Sequence, residues 1–509
     1  MCDVQNRYGS RRTDNQHPIL AFVRKPSYAR YPLSSSSAKT YLPWVVAVAL
    51  FMEQLDATVV NTAIPSIAAS LEVTPLSLKS VVSSYILSLA VGIPVSGWMA
   101  DRFGTKRVFA TAIAIFTIAS VLCGMSVNTP MMIGARLLQG IGGAMMMPVG
   151  RLAIIRTFPK AELLGAMNFV IIPALIGPLL GPTVGGLIVH VASWRVIFFI
   201  NVPVGLAALF LVYRYMPDYR AKTPRPLDVG GLMLFSSGTA ILSWLLEIFG
   251  EHRLSLAVEA LLFVLSMGLL GAYLMHARRK EFPLLRLTLF NIRTFRISVL
   301  GGFLTRFGIG GLPFLLPLLY QVGMGIPAWK SGMLMMPTAL AAMAMKMVSQ
   351  KLLRRFGYRQ ILTVNTLCVG VTIGMFSLVG PGTPLMVIVL IGLMQGFFNS
   401  MQFSSMNSLA YADVSETDSS MASTISSSFQ QLSMSFGLAV GSLVAGWYLG
   451  KVPQTNQLMV TSALHHAFLT LSVITIISSV TFWSLRKADG ESISRGIAGQ
   501  QAAPAITQA

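Results

Sequence analysis

Fourteen runs of about twenty apolar residues leave this chain little choice of environment. They lie at about 41–63, 79–99, 108–127, 131–151, 164–190, 195–214, 229–248, 255–276, 297–320, 331–349, 360–380, 384–406, 422–449 and 464–485. A helix needs roughly twenty residues to cross a ~30 Å hydrocarbon core, where every backbone amide must be bonded internally. The runs are too uniformly apolar for barrel strands, whose two faces alternate. Only 11% of the 509 residues are charged, against about 25% in a soluble domain. The sequence therefore predicts an all-α membrane protein.

The formal charge of +20 would suit a nucleic acid partner if it were clustered on one soluble surface, but it is not. With both termini on the cytoplasmic side, the inner segments carry 29 of the 38 Lys and Arg residues. The outer loops carry five: Lys79, Arg195, Arg253, Lys330 and Lys451. That is the positive-inside pattern, and an even number of crossings fits it. The expected partner is the lipid bilayer, with no nucleic acid. Three scattered cysteines (Cys2, Cys123, Cys368) give neither a disulfide framework nor a metal site. No cofactor spacing and no phosphate-binding Gly-x-x-x-x-Gly-Lys-Ser/Thr run occurs, and no nucleophile or His/carboxylate cluster speaks for an enzyme. Residues 1–39, basic and serine-rich, read as a disordered cytoplasmic tail rather than a cleavable signal.

The chain also echoes itself. Asp101-Arg102-Phe103-Gly104 precedes Gln139-Gly140, and Arg354-Arg355-Phe356-Gly357 precedes Gln395-Gly396 at nearly the same distance. This register predicts two six-helix bundles, at 40–216 and 297–486, with a two-helix insertion and its basic linkers at 217–296. A cytoplasmic tail follows at 487–509.

Four motifs stand in order along the first half. Helix 1 carries Leu55-Asp56-Ala-Thr58-Val-Val-Asn61, and the loop after helix 2 reads Gly97-Trp-Met-Ala-Asp101-Arg102-Phe-Gly104-Thr-Lys106-Arg107. Helix 4 carries Arg136-Leu-Leu-Gln139-Gly140-Ile-Gly142-Gly143, and helix 5 carries Gly177-Pro178-Leu-Leu-Gly181-Pro182-Thr-Val-Gly185-Gly186. Ser193-Trp194-Arg195 and Ile200-Asn201-Val-Pro203 follow. Together they resemble the major facilitator superfamily, and within it the fourteen-helix drug:proton antiporters of the EmrB/QacA type. Gly142–Arg151 and Phe403-Ser-Ser-Met-Asn407 resemble the bacterial MdtD-like group. The resemblance spans about 41–486.

It implies a major facilitator fold of fourteen helices in the inner membrane, exporting drug-like organic molecules in exchange for protons. A monomer is expected, and a periplasmic adaptor with an outer-membrane channel is compatible with export. Import or uniport of a specific metabolite, or a non-transporting sensor, stays open. The resemblance assigns Gly97, Asp101, Arg102, Gly104 and Arg107 to a conformational latch. By residue chemistry, Asp101 would cap the start of helix 3 and meet Arg102 or Arg107, while Gly97 and Gly104 would permit a tight turn and close helix approach. Arg354, standing where the first copy has Asp101, weakens any second latch. Gly177, Gly181 and Gly185, four apart, form a ridge on which two backbones can touch, and Pro178 and Pro182 would bend it. With Gly186, the resemblance makes this run the antiporter motif.

Ionisable groups at membrane depth are expensive, so each is a candidate site residue. Glu53, Asp56, Arg136 and Arg306 lie well inside, whereas Arg151 and Lys346 are expected to snorkel. Counting along the helices puts Asp56 and Arg136 both roughly 20–22 Å from the inner boundary, so they are expected to pair. Glu53 and Arg306 both fall about 14–15 Å from it and are expected to pair across a substrate cavity. Helix 13 offers only Gln430, Gln431 and serines, and Arg306 would tolerate neutral or anionic compounds.

Overall fold

The computed structural model describes residues 28–30, 35–224, 226–248, 254–415, 418–450, 454, 456–486 and 488–490. The two expected tails fall mostly outside these residues. Sixteen helices carry nearly all of the described chain. The first seven are α1 (Ser35–Ser70), α2 (Lys79–Phe103), α3 (Thr105–Gly124), α4 (Thr129–Thr157), α5 (Lys160–Val191), α6 (Val196–Phe199) and α7 (Asn201–Tyr215). Two follow as a hairpin, α8 (Val229–Ile248) and α9 (Leu256–Arg279). The last seven are α10 (Arg293–Gly310), α11 (Leu312–Leu318), α12 (Ala328–Met375), α13 (Leu385–Ala410), α14 (Ser419–Leu449), α15 (Gln457–Ser478) and α16 (Val480–Trp483). Local chemistry sets several starts: Asn128, Ser255 and Asn456 each accept a bond from an amide in the first turn of α4, α9 and α15, satisfying donors that a helix leaves free.

Among the described residues, twelve runs are long and apolar enough to cross a membrane. The fourteen expected blocks do not map onto these one to one, for two reasons. At 48 residues, α12 would be roughly 72 Å long if straight, yet it folds back at Gly357, whose φ of 73° breaks the helical geometry. It is two helices meeting at a corner. α5 stands outside the twelve, with a shorter apolar run at Ile176–Val191.

Helix packing falls into two groups. In the first, α1 lies along α5 and α7, while α4 packs on α2 and α3. In the second, α12 packs on α13 and α15, and α14 on α10 and α15. The hairpin α8–α9 leans on α2 and α14 through α8, leaving α9 largely bare, with Leu261, Val264 and Met275 exposed. The groups meet where α5 touches α12 and α2 touches α14. A short antiparallel ribbon, β1 (Tyr28–Arg30) with β2 (Tyr219–Ala221), sits beside the loop after α2.

The two repeat copies turn their corners alike. Gly104, with φ of 96°, separates α2 from α3 as Gly357 splits α12. Only glycine adopts this region without strain. The first corner is also tight: a Cβ on Gly104 would lie 2.3 Å from Asp218 Oδ1.

Candidate functional site

The glycines of α4 put its polar side chains where they can meet α1. A Cβ on Gly140 would lie 2.6 Å from the Tyr85 carbonyl oxygen of α2, and one on Gly142 2.8 Å from the Ala112 carbonyl oxygen of α3. Bare backbone here lets α4 press into the groove between those helices. Arg136 and Gln139, one turn apart, then converge on Asp56 of α1. Arg136 Nη1 donates to Asp56 Oδ2 at 2.7 Å, and both side chains are 1% exposed. Gln139 Nε2 donates to Asp56 Oδ1 at 3.0 Å, and Asn201 Nδ2 at the start of α7 donates to the same oxygen at 2.7 Å. Ser120 Oγ of α3 accepts from both amides, at 2.7 and 3.1 Å. Arg136 Nη1 also donates to Gln139 Oε1. The guanidinium lies 4.6 Å from the Tyr85 ring centroid and 5.7 Å from that of Phe198, so its faces are covered by aromatic rings.

Asp56 is thus a buried carboxylate matched by one cation and two amides, tying α1, α3, α4 and α7 together. A buried pair of this kind holds only while both partners keep their charge. Glu53, one turn earlier on α1, is also buried, but its Oε2 has no hydrogen-bond partner.

The second group repeats the glutamine frame with neutral partners. Gln395 of α13, the echo of Gln139, accepts from Thr372 Oγ1 at 2.5 Å and donates to Asn399 Oδ1 at 3.0 Å. Gln402 Nε2 donates to Thr366 Oγ1 at 2.7 Å, and Asn365 Nδ2 donates to Gln402 Oε1 at 2.8 Å. The cation here is Arg306 of α10, 2% exposed. Its Nη2 donates to Asn407 Oδ1 at 3.0 Å, and its guanidinium lies 5.1 Å from the Phe403 ring centroid. Its Nε has no partner. The expected Glu53–Arg306 ion pair is therefore absent from this conformation: Arg306 turns to α13 within its own group. Equal depth fixes height in the membrane but neither rotation about the helix nor the spacing between groups.

The latch residues are also placed differently from expectation. Asp101 lies in the last turn of α2, not at the start of α3, and its partner is Arg156 of α4, with Nη2 at 2.8 Å from Oδ1. Arg102 and Arg107 are exposed, and neither pairs with Asp101. The start of α3 is served by Asp218, whose Oδ1 accepts from the Lys106 amide at 3.1 Å. Gly97 has nothing within 4 Å of where its Cβ would be, so it mediates no close approach here. Arg151 is half-buried, and its Nη1 donates to Ser423 Oγ of α14 at 3.1 Å, across the two groups.

The α5 ridge lies against α1. Cβ atoms on Gly177, Gly181 and Gly185 would sit 2.8 Å from Gln54 Cβ, 2.0 Å from Thr58 Oγ1 and 2.6 Å from the Val59 carbonyl oxygen. Its other edge meets α12. A Cβ on Gly186 would lie 2.3 Å from the Ala328 carbonyl oxygen, and one on Gly332 2.2 Å from that of Pro182. Near this end Gln321 Nε2 also donates to the Thr62 carbonyl oxygen at 2.9 Å, and the Leu76 amide to Gln454 Oε1 at 3.3 Å. The groups are closed together at the C-terminal end of α1.

Asn201, Ser120, Arg156 and Asp218 complete these sites without having been singled out as functional. Asn201 and Gln139 stand within quoted motifs. Arg156 and Asp218 carried no local signal, since each acts on a residue far away in the chain.

The family model described as Major Facilitator Superfamily matches residues 46–438. Relatives carrying the multidrug resistance name MdtD align over most of both chains. That of Pectobacterium carotovorum subsp. carotovorum is 40% identical over 450 residues, 88% of this chain and 95% of its own. That of Salmonella heidelberg is 39% identical over 445 residues, 86% and 93%. A solved D-xylose-proton symporter superposes with a TM-score of 0.64 at 14% identity, covering 89% of this chain and 99% of its own. A bacterial homologue of the human lysosomal transporter Spinster, inward-facing and unoccupied, gives 0.65 at 13% identity, covering 88% and 96%. At such identities these structures speak for the fold alone.

Proposed function

The chain belongs to the Major Facilitator Superfamily, and on that premise we propose that it exports drug-like small organic molecules in exchange for protons. It is a multi-pass secondary transporter, not an enzyme. The observation that carries the coupling is the asymmetry of the two groups. Asp56 sits in a charged network, with both carboxylate oxygens bonded, while the corresponding glutamine network of α13 is neutral. A carboxylate held by a single cation and two amides is a group whose loading with a proton alters what holds four helices together. Glu53 is a second buried carboxylate, one turn away on α1. Relatives named for multidrug resistance support the class of cargo.

We take fourteen crossings, with α12 counted twice and α5 once, divided at 40–216, 217–296 and 297–486. The positive-inside asymmetry supports cytoplasmic termini in a bacterial inner membrane. The closed end is then the outer one, and at the inner end the Arg151–Ser423 bond also joins the two groups. The Gly97–Arg107 loop acts as latch, with Asp101 working through Arg156, and the α5 ridge serves as the antiporter element. A monomer suffices for this scheme, and a periplasmic adaptor with an outer-membrane channel would extend the route across a second membrane.

The test is ΔpH-driven efflux in everted vesicles, using a host stripped of its own pumps and a chemically diverse panel. Asp56→Asn should insert normally and lose driven transport. Wild-type rates in that variant would remove Asp56 from coupling.

A further inference from the structure

Arg151, Lys346 and Arg306 also lie within spans, and among the described residues none of these three has a carboxylate within 4.0 Å. Arg151 is met only by the hydroxyl of Ser423. Lys346 follows Gly332 along α12 at 332, 336, 339, 343 and 346, the spacing of one helical face. Gly332, at one end of that face, packs on Pro182 of α5, while Lys346 at the other end is exposed. Arg306 is the most demanding of the three, because it is almost wholly buried and its Nε is unbonded.

The contrast with Arg136 is informative. Both guanidiniums lie over aromatic rings inside their group. At Arg136 the chain supplies the counter-charge through Asp56. At Arg306 it supplies only the Asn407 amide oxygen. An uncompensated cation at this depth costs several kcal/mol, and the chain has reserved space for it. A Cβ on Gly302 would fall 2.8 Å from Arg306 Nη1. Nor is the cluster sealed, for Asn407 is exposed and gives a solute an edge from which to reach the guanidinium.

We propose that Arg306, Asn407 and Phe403 form the recognition site for an acid group on the cargo, so that the preferred substrates are amphipathic organic carboxylates. The carboxylate takes the place at Arg306 that Asp56 takes at Arg136, accepting charge-assisted bonds from the guanidinium fork. The Asn407 amide has N–H groups to offer the same anion. The Phe403 ring, with Met406 beside Gly302, provides an apolar surface for the body of the molecule. This assignment rests on the transporter reading and names its substrate class.

The test uses the purified full-length protein in nanodiscs and three probes of one shape: 1-naphthoate, 1-naphthamide and 1-naphthylmethylammonium. Wild type should bind the anion at least about tenfold more tightly than the amide, the weight of a charge-assisted hydrogen bond. Arg306→Gln should erase that preference while changing the amide's affinity little, and Arg306→Lys should keep part of it. Asn407→Ala should narrow it in a background where Arg306 is intact, which guards against misfolding of the arginine variants. Equal binding of anion and amide in wild type, a preference for the ammonium probe, no binding of naphthoate, or an anion preference surviving Arg306→Gln would each overturn the assignment. Asp56→Asn separates the two readings: it should stop driven transport but leave the anion preference intact. If all three probes bind as expected yet no driven transport occurs in wild type, the site stands and the antiport reading fails.

Discussion

Asp56 and Arg136 are each tolerable inside the membrane only because of the other. Removing one charge leaves its partner buried and unpaired, which costs about 3–5 kcal/mol. Asp56→Asn should therefore lower thermal stability in detergent, and Asp56→Asn with Arg136→Gln should recover part of the loss without restoring transport. Unfolding midpoints of the two variants and wild type check this. A second carboxylate lies outside the spans. Burial opposes ionisation of Asp228, but His276 Nε2 at 2.7 Å and the amides of Gly231 and Leu284 hold the carboxyl below the ordinary aspartate range. Its folded value is thus below its unfolded one. The stability it contributes is complete above the unfolded value and lost as pH falls through the folded one. Asp228→Asn should flatten the acid limb of a stability profile below about pH 4, read as unfolding midpoints across pH. At this scale the sequence was partly legible. Counting 1.5 Å per residue along α1 and α4 leads to the Asp56–Arg136 pair that the structure contains. The same counting led to Glu53–Arg306, which it does not contain, because side-chain direction and helix spacing are not written in depth. Asn201 could be quoted as motif but not recognised as a ligand of Asp56, since α7 returns to α1 only after 145 residues of intervening fold.

The helices themselves depend on where glycine stands. Gly181 meets Thr58 so closely that a Cβ would fall 2.0 Å from Oγ1. Gly181→Ala should destabilise the protein by about 1–3 kcal/mol through overpacking, and Thr58→Ala should relieve part of that cost in the double variant. Gly97→Ala is the control: with nothing within 4 Å and a place inside α2, it should not lower the unfolding midpoint, since alanine is the better helix former. Apolar runs made the spans legible, and the doubled Arg-Phe-Gly made the two corners legible. The ends were not. Asp101 belongs to α2 and Asp218 serves α3 because the chain from α7 packs back against the α2–α3 corner, a contact no local pattern announces.

For the whole molecule, the closed end is the feature that defines the state. Thr62 and Gln321 meet there across the two groups. Thr62→Cys with Gln321→Cys, joined by a short cleavable reagent in a cysteine-free background, should arrest transport, and cleaving the link should restore it. Efflux before and after reduction reads the result, and undiminished transport by the linked protein would show that this end need not part. The contact between α5 and α12 bears on how quickly it parts. Gly186 against Ala328 and Gly332 against Pro182 bring backbone to backbone, and beside them the ring pair His190–Trp329, 6.3 Å between centroids, is a side-chain contact that would have to shift. Knobs seated in holes must be lifted out before two surfaces can shift, and each lift adds to an activation barrier. The glycine contacts have no such teeth, so there one group can roll on the other through a succession of nearly equivalent contacts. Turnover would then be limited by the loading of cargo and protons rather than by friction at those glycines.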